Sequence, residues 1–141
     1  MRTVLDANIF VSALISARGT PAAIVRRWLT GEFDVLISEP IIDEILRVTA
    51  YEKLQKYERL RDTRVAFVQL LTKQAVWVEP EDRLQIGAAD ESDTRYIECA
   101  VTGAAQYVVS GDAHLLNVAE YQGIRIVSPA AFLSLLEAGA I

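Results

Sequence analysis

Arg2-Thr3-Val4-Leu5-Asp6-Ala7-Asn8 carries a short apolar, β-prone run that breaks abruptly into a carboxylate at Asp6. A helix-compatible segment with Ile9, Phe10, Ser12, Ala13 and Leu14 follows directly. A strand that ends in an acidic residue and passes into a helix is how open α/β sheets build sites, because strand tips and helix N-termini converge there. The plainer reading makes Asp6 or Asn8 a cap of the helix. The choice between them depends on whether other carboxylates reach the same edge.

The arrangement recurs towards the far end. Gln106-Tyr107-Val108-Val109-Ser110 predicts a strand, Gly111-Asp112 stands at its tip, and a short helix runs through Leu115 and Leu116. Asp34-Val35-Leu36-Ile37 predicts a buried strand, with Ser38 capping a helix that has Glu39 and Pro40 in its first turn. In that helix Ile41, Ile42, Ile45, Leu46 and Val48 mark the core side. Glu44 borders this stripe, whereas Asp43, about 100° away around the axis, faces solvent. Ala75-Val76-Trp77-Val78 predicts a third strand, ended by the residues from Glu79 to Asp82, and Ile124-Arg125-Ile126-Val127 predicts a fifth.

The remaining segments have helical spacing. Thr20 as cap and Pro21 at the first position open a helix with an apolar stripe of Ala22, Ile24, Val25, Trp28 and Leu29, stopped near Gly31. Asp90-Glu91-Ser92-Asp93 opens another, with Tyr96, Ile97, Ala100 and Val101 on its apolar face and Gly103 at its end. Asp93 lies above that apolar face in the first turn, where caps normally face water. Ser128-Pro129 opens a last helix carrying Phe132, Leu133, Leu135 and Leu136. From Tyr51 to Gln74 the chain reads as helical, and Lys53, Lys56, Arg59, Arg61 and Arg64 interleave with Tyr51, Leu54, Tyr57 and Leu60. A solvated helical pair with a core-facing stripe is the first reading of this segment, and an RNA-contacting face the second. Strands and helices alternate almost throughout. This predicts a three-layer α/β/α fold, one domain over 1–141, with a central, mostly parallel, roughly five-stranded sheet covered on both faces.

With 141 residues, 52% hydrophobic and 23% charged, the composition is that of a globular domain with a sizeable core. The single cysteine, Cys99, forms no internal disulfide and suits a reducing compartment. No signal peptide is read at the start, no apolar run approaches the roughly 18 residues that span a bilayer, and a cytoplasmic protein with no membrane partner is expected. The net charge of −5 argues against indiscriminate gripping of nucleic acid. It leaves room for a nuclease, because a bound cation reverses the local sign of an acidic cluster.

In a parallel sheet all strand tips share one edge, so Asp6, Asp93 and Asp112 can meet there, and Glu44 can join from the helix after the second strand. Carboxylates pressed together in a half-buried place repel, and a divalent cation removes the conflict. Oxygen donors with no His or Cys beside them select Mg²⁺ or Mn²⁺ over zinc. Such a site binds phosphate oxygens, activates water and steadies a leaving oxygen. The phosphate-binding loops GxxxxGK[ST] and GxGxxG and the nucleophile turn GxSxG are missing from the sequence. His114 reads as an exposed helix residue before a phosphate neighbour, and Cys99 as a semi-buried helix residue.

With these residues in place, the sequence resembles the PIN domain family, and within it the toxins of toxin–antitoxin modules. Val4-Leu5-Asp6-Ala7-Asn8 with Val11-Ser12-Ala13-Leu14 is similar to that group's opening strand and helix, and Ser38-Glu39-Pro40-Ile41 leading to Glu44 to its serine-capped acidic helix. The run from Asp90 to Asp93, followed by Tyr96-Ile97-Glu98-Cys99-Ala100, and the segment Tyr107-Val108-Val109-Ser110-Gly111-Asp112 with Leu115-Leu116 match two further blocks. Ile124-Arg125-Ile126-Val127-Ser128-Pro129 with Phe132-Leu133 matches the closing run. Glu91-Ser92 replaces the more usual proline–aspartate, and Ala7 stands where threonine is common; neither change removes an acid.

The resemblance implies a Mg²⁺- or Mn²⁺-dependent endoribonuclease that cleaves single-stranded RNA. By it, Asp6, Glu44, Asp93 and Asp112 hold the metal and Asp90 is an acidic neighbour. Asn8, Ser38 and Ser110 are supporting polar residues. An RNA substrate, a cognate antitoxin protein and a homodimer are the partners it implies. The competing readings are housekeeping RNA processing, a DNA substrate, a metal-free binding or scaffold domain whose acids only cap helices, and an aspartyl phosphotransferase. The last wants a second acid two residues after the first, where this chain has Asn8.

Overall fold

Val4 and Leu5, apolar neighbours that point to opposite faces of a strand, are both buried in β1 (Arg2–Leu5), which therefore lies inside the sheet and is covered on both sides. The computed structural model describes residues 1–81 and 91–141, and of residues 91–93 the backbone alone. β1 pairs in parallel with β2 (Asp34–Ile37) on one side, Thr3 opposite Val35, and with β4 (Tyr107–Val109) on the other, Val4 opposite Val108. With β3 (Val76–Trp77), β5 (Glu120–Tyr121) and β6 (Ile124–Val127) the sheet order is β3-β2-β1-β4-β6-β5. Only the β5–β6 pairing is antiparallel among the described strands.

The chain therefore moves outward from β1 to β3, then crosses back to β4 and β6. Right-handed crossovers put the helices of these two journeys on opposite faces. α1 (Ala7–Ile15) packs on α2 (Thr20–Leu29), α3 (Glu39–Thr49) and α4 (Glu58–Gln74). α5 (Glu91–Thr102) lies against β1, β2 and β4, α6 (Ala113–Val118) against β6, and α7 (Pro129–Glu137) against α2. The reversal falls between β1 and β4, so the carboxyl ends of these two strands border the crevice where open α/β sheets place their sites.

The core is continuous around the sheet. Phe10, Ile24, Leu36, Ile97, Leu115 and Phe132 are fully buried, each contributing about 1.5–3 kcal/mol relative to an exposed side chain. Gly103 lets α5 end close against the sheet: a Cβ there would collide with Leu36 and come within 2.9 Å of Val78. The stop read at this glycine thus has a packing cause: only a residue without Cβ fits there.

Several expectations change. The sheet has six described strands, because Gln122 and Gly123, both at positive φ (51° and 83°), form a tight hairpin turn that adds β5 beside β6. Gly19 at φ 101° takes the cap position of α2 in place of Thr20, which is the first helical residue. Leu29 is 40% exposed, being on the outer side of the last turn of α2. The helix expected from Tyr51 to Gln74 is a short 3₁₀ turn (Glu52–Leu54) followed by α4, whose fully buried residues are Leu60 and Leu71, with Phe67 and Val68 packed partly buried against the core and Val65 60% exposed. Cys99 is fully buried rather than semi-buried, since α5 lies flat on the sheet. No single helix among the described residues is long and apolar enough to cross a membrane.

Candidate active site

β1 and β4 stay paired up to the acid itself: the Asp6 N–H donates to the Val109 carbonyl at 2.9 Å. Asp6 is only 5% exposed. Its Oδ1 accepts the Asn8 N–H at 3.0 Å, which caps α1, and its Oδ2 accepts the Ser110 hydroxyl at 2.6 Å. The second distance is that of a charge-assisted bond. Ser110 is fully buried, and its Oγ in turn accepts the Asp112 N–H at 3.0 Å. Asp112 is half-buried and accepts the His114 N–H at 2.7 Å, capping α6. One serine hydroxyl therefore ties the tip of β1 to the tip of β4 across the crevice.

Glu44 stands beside this pair on α3, half-buried as its spacing implies, with Asp43 exposed. Its Oε2 takes the Arg95 guanidinium (Nη1) at 2.6 Å and the Tyr96 hydroxyl at 3.3 Å, and its Oε1 takes Arg47 at 3.4 Å. The same Tyr96 hydroxyl accepts the Ala7 N–H at 3.2 Å, linking α5 to the first turn behind Asp6. Burial, and then the negative charges of Asp6 and Glu44, push the Tyr96 phenol well above its ordinary range. Tyr96 therefore stays protonated and, as a neutral group, links Glu44 to the Ala7 N–H in the turn behind Asp6.

Ser38 occupies the cap position of α3, but its side chain makes no cap bond. Its hydroxyl is fully buried and has no hydrogen-bond partner among the described residues. It lies near Cys99, whose thiol is pushed up to about 12 by burial. Asn8 and His114 are exposed, each lending a backbone N–H to the neighbouring aspartate. Asp93 falls in the first turn of α5, with its side chain outside the described residues, and Asp90 lies outside them altogether.

Among the described residues no three His, Cys, Asp or Glu side chains gather closely enough to hold a metal ion. The donor chemistry nevertheless suits a hard cation. Asp6 is a carboxylate removed from water, held by two neutral donors, with no cationic side chain in ion-pair range among the described residues. A buried carboxylate without a counter-charge is costly. Asp112 is likewise unpaired and partly open, whereas Glu44 already has arginine partners.

The basic segment divides in the same way. Arg64 is spent on structure, donating to the Thr49 hydroxyl at 2.7 Å and the Leu46 carbonyl at 2.9 Å at the end of α3. Lys53 and Lys56 lie over the rings of Tyr51 and Tyr57. Arg95 and Tyr96 are the site residues that sequence reasoning missed. Tyr96 reads as one more member of an apolar stripe, and nothing in the spacing shows that its hydroxyl reaches across to α1 and α3.

A family model described as PIN domain matches residues 2–114, which run from β1 to the start of α6 and include both strand tips. The uncharacterized protein MJ1680 of Methanocaldococcus jannaschii is 25% identical over 118 residues, covering 84% of this chain and 75% of the relative.

Proposed function

This chain belongs to the PIN domain family, whose members are generally nucleases, and from that premise we propose that it is a divalent-metal-dependent endoribonuclease, the toxin of a toxin–antitoxin module. The observation that carries the reading is the buried, uncompensated Asp6 tied through Ser110 to Asp112 at the point where the sheet reverses. Asp6, Asp112 and Asp93 are the residues that hold Mg²⁺ or Mn²⁺ in this proposal, with Glu44 at their border. The ion supplies activation of water and neutralisation of phosphate charge. Ser110 fixes the Asp6 carboxylate, so that Oδ2 cannot rotate out of place as the site fills. The N–H groups of Asn8 and His114 fix the other carboxylate oxygens in the same manner. Single-stranded RNA is the proposed substrate, and an antitoxin covering the acidic edge and a second copy of the chain are the proposed partners.

A second reading has an observation of its own. Asp6 and Asp112 both cap helices, and a metal-free binding domain needs nothing more of them. Cleavage of a labelled single-stranded RNA in Mn²⁺, in EDTA, and by Asp6→Ala separates the two. Cleavage that needs both metal and Asp6 supports the nuclease. Binding of RNA without cleavage under any metal condition supports the scaffold. Cleavage of single-stranded DNA in preference to RNA redirects the substrate, and growth arrest on expression, lost in Asp6→Ala, distinguishes a toxin from a housekeeping enzyme.

A further inference from the structure

Glu44 and Arg95 lie 51 residues apart and meet at 2.6 Å, a short bond between two ionised groups. Glu44 keeps 18% of its side chain exposed and Arg95 26%, so the pair lies at the rim of the crevice rather than in the core. Three hydrogen bonds link the turn behind Asp6 to this guanidinium: the Ala7 N–H donates to the Tyr96 hydroxyl, that hydroxyl donates to Glu44, and Glu44 accepts from Arg95. Among the described residues Arg95 uses only Nη1, with a longer contact from the same atom to the Pro40 carbonyl at 3.5 Å. Among the described residues its Nη2 and Nε make no hydrogen bond, and they form a fork suited to a phosphate.

We propose that Arg95 is a phosphate-positioning residue for the RNA backbone and that Glu44 is the carboxylate that aims it, rather than a metal ligand. The two acids at this edge then divide the work. Asp6, which has no cation partner among the described residues, is left for the metal, and Glu44, which already has one, presents that cation to the substrate. A chain of net charge −5 needs a fixed positive group beside an acidic crevice to seat a polyanion there. Arg47, on the outer side of Glu44 with 57% of its side chain exposed and a longer contact, balances the carboxylate from solvent.

The inference rests on the nuclease reading, and the test keeps the two apart. Mn²⁺ binding is measured by calorimetry, and RNA cleavage by steady-state kinetics over a range of salt, for wild type, Glu44→Gln, Arg95→Ala and Arg95→Lys. Arg95→Ala is expected to raise KM about tenfold with kcat within about threefold, the pattern of lost uniform binding. The salt slope of log kcat/KM becomes shallower by about 0.7, the value for one single-strand phosphate contact. Arg95→Lys restores the slope and part of KM, because the charge returns without the fork. Glu44→Gln keeps Mn²⁺ affinity within about threefold, less than the change expected when a group supporting a metal ligand is removed, and raises KM in the same direction as Arg95→Ala. Loss of Mn²⁺ binding in Glu44→Gln overturns the inference and leaves the nuclease intact, as does an unchanged KM and salt slope in Arg95→Ala. A wild-type protein that neither binds Mn²⁺ nor cleaves RNA overturns the nuclease reading and this inference with it.

Discussion

Asp6 and Glu44 stand at the same edge of one sheet, and both are largely removed from water, yet they are balanced in different ways. Asp6 is fixed by the Ser110 hydroxyl and the Asn8 N–H and has no cation in ion-pair range among the described residues, whereas Glu44 is held by Arg95 and Arg47. Neutral donors orient a carboxylate and leave its charge in place; arginines orient it and cancel the charge. In the proposed site the acid left for the metal is therefore the one whose counter-ion the fold has not already supplied.

The most severe way to probe this contrast is Asp6→Ala, which should lower the RNA cleavage rate by about a thousandfold or more, the scale on which single members of a catalytic unit act. Retained cleavage would place the chemistry elsewhere. Next comes Ser110→Ala, which leaves Asp6 in place but frees its Oδ2. Mn²⁺ affinity should fall about 10–100-fold, as for other groups that orient metal ligands. An unchanged affinity in calorimetry would mean that the Ser110 bond serves folding alone.

The part of this account visible in the sequence is the part written in consecutive residues. Val4-Leu5-Asp6 and Val108-Val109-Ser110-Gly111-Asp112 announce apolar strands that end in acids, and alternation with helices brings both tips to one edge. Spacing alone places Glu44 at the border of its helix, and it is half-buried there. Its partner was invisible, because the pairing with Arg95 depends on how α3 and α5 meet across the sheet. Tyr96 was legible as core and not as a bridge, since periodicity locates a ring but not its hydroxyl. The hairpin at Gln122-Gly123 had a signal, an X-Gly pair before a β-prone run, that the short flanking segment Glu120-Tyr121 left unread.

Tyr96→Phe joins the two sides of the comparison in one variant, since the lost hydroxyl serves both the Ala7 N–H and Glu44. It should cost about 1–2 kcal/mol in denaturant unfolding, because the Ala7 N–H loses its partner in a buried place. Mn²⁺ affinity should change little.

Alkaline titration follows from the same burial. The phenol of Tyr96 is raised above its ordinary range and the thiol of Cys99 from 9.0 to about 12. The folded state therefore keeps protons that the unfolded chain releases, so their contribution is complete below the unfolded values and declines as pH rises from about 9 towards 12. Thermal melts across that window should show the decline, and Tyr96→Phe should make it shallower. A stability that stays level to pH 11 would contradict the burial of both groups. The smallest effect belongs to Arg47→Ala, where the exposed pair with Glu44 contributes no more than about 0.5 kcal/mol. A larger loss would show Arg47, not Arg95, to be the principal counter-ion.

The claim that the Asp6–Ser110–Asp112 edge holds a divalent cation is tested most directly by calorimetric titration of Mn²⁺ into the wild-type protein and Asp112→Asn, which keeps a side-chain oxygen for the α6 cap. Binding to wild type that is lost in the variant, while both remain folded, is the expected result. Equal binding by the two proteins, or none by either, would contradict it.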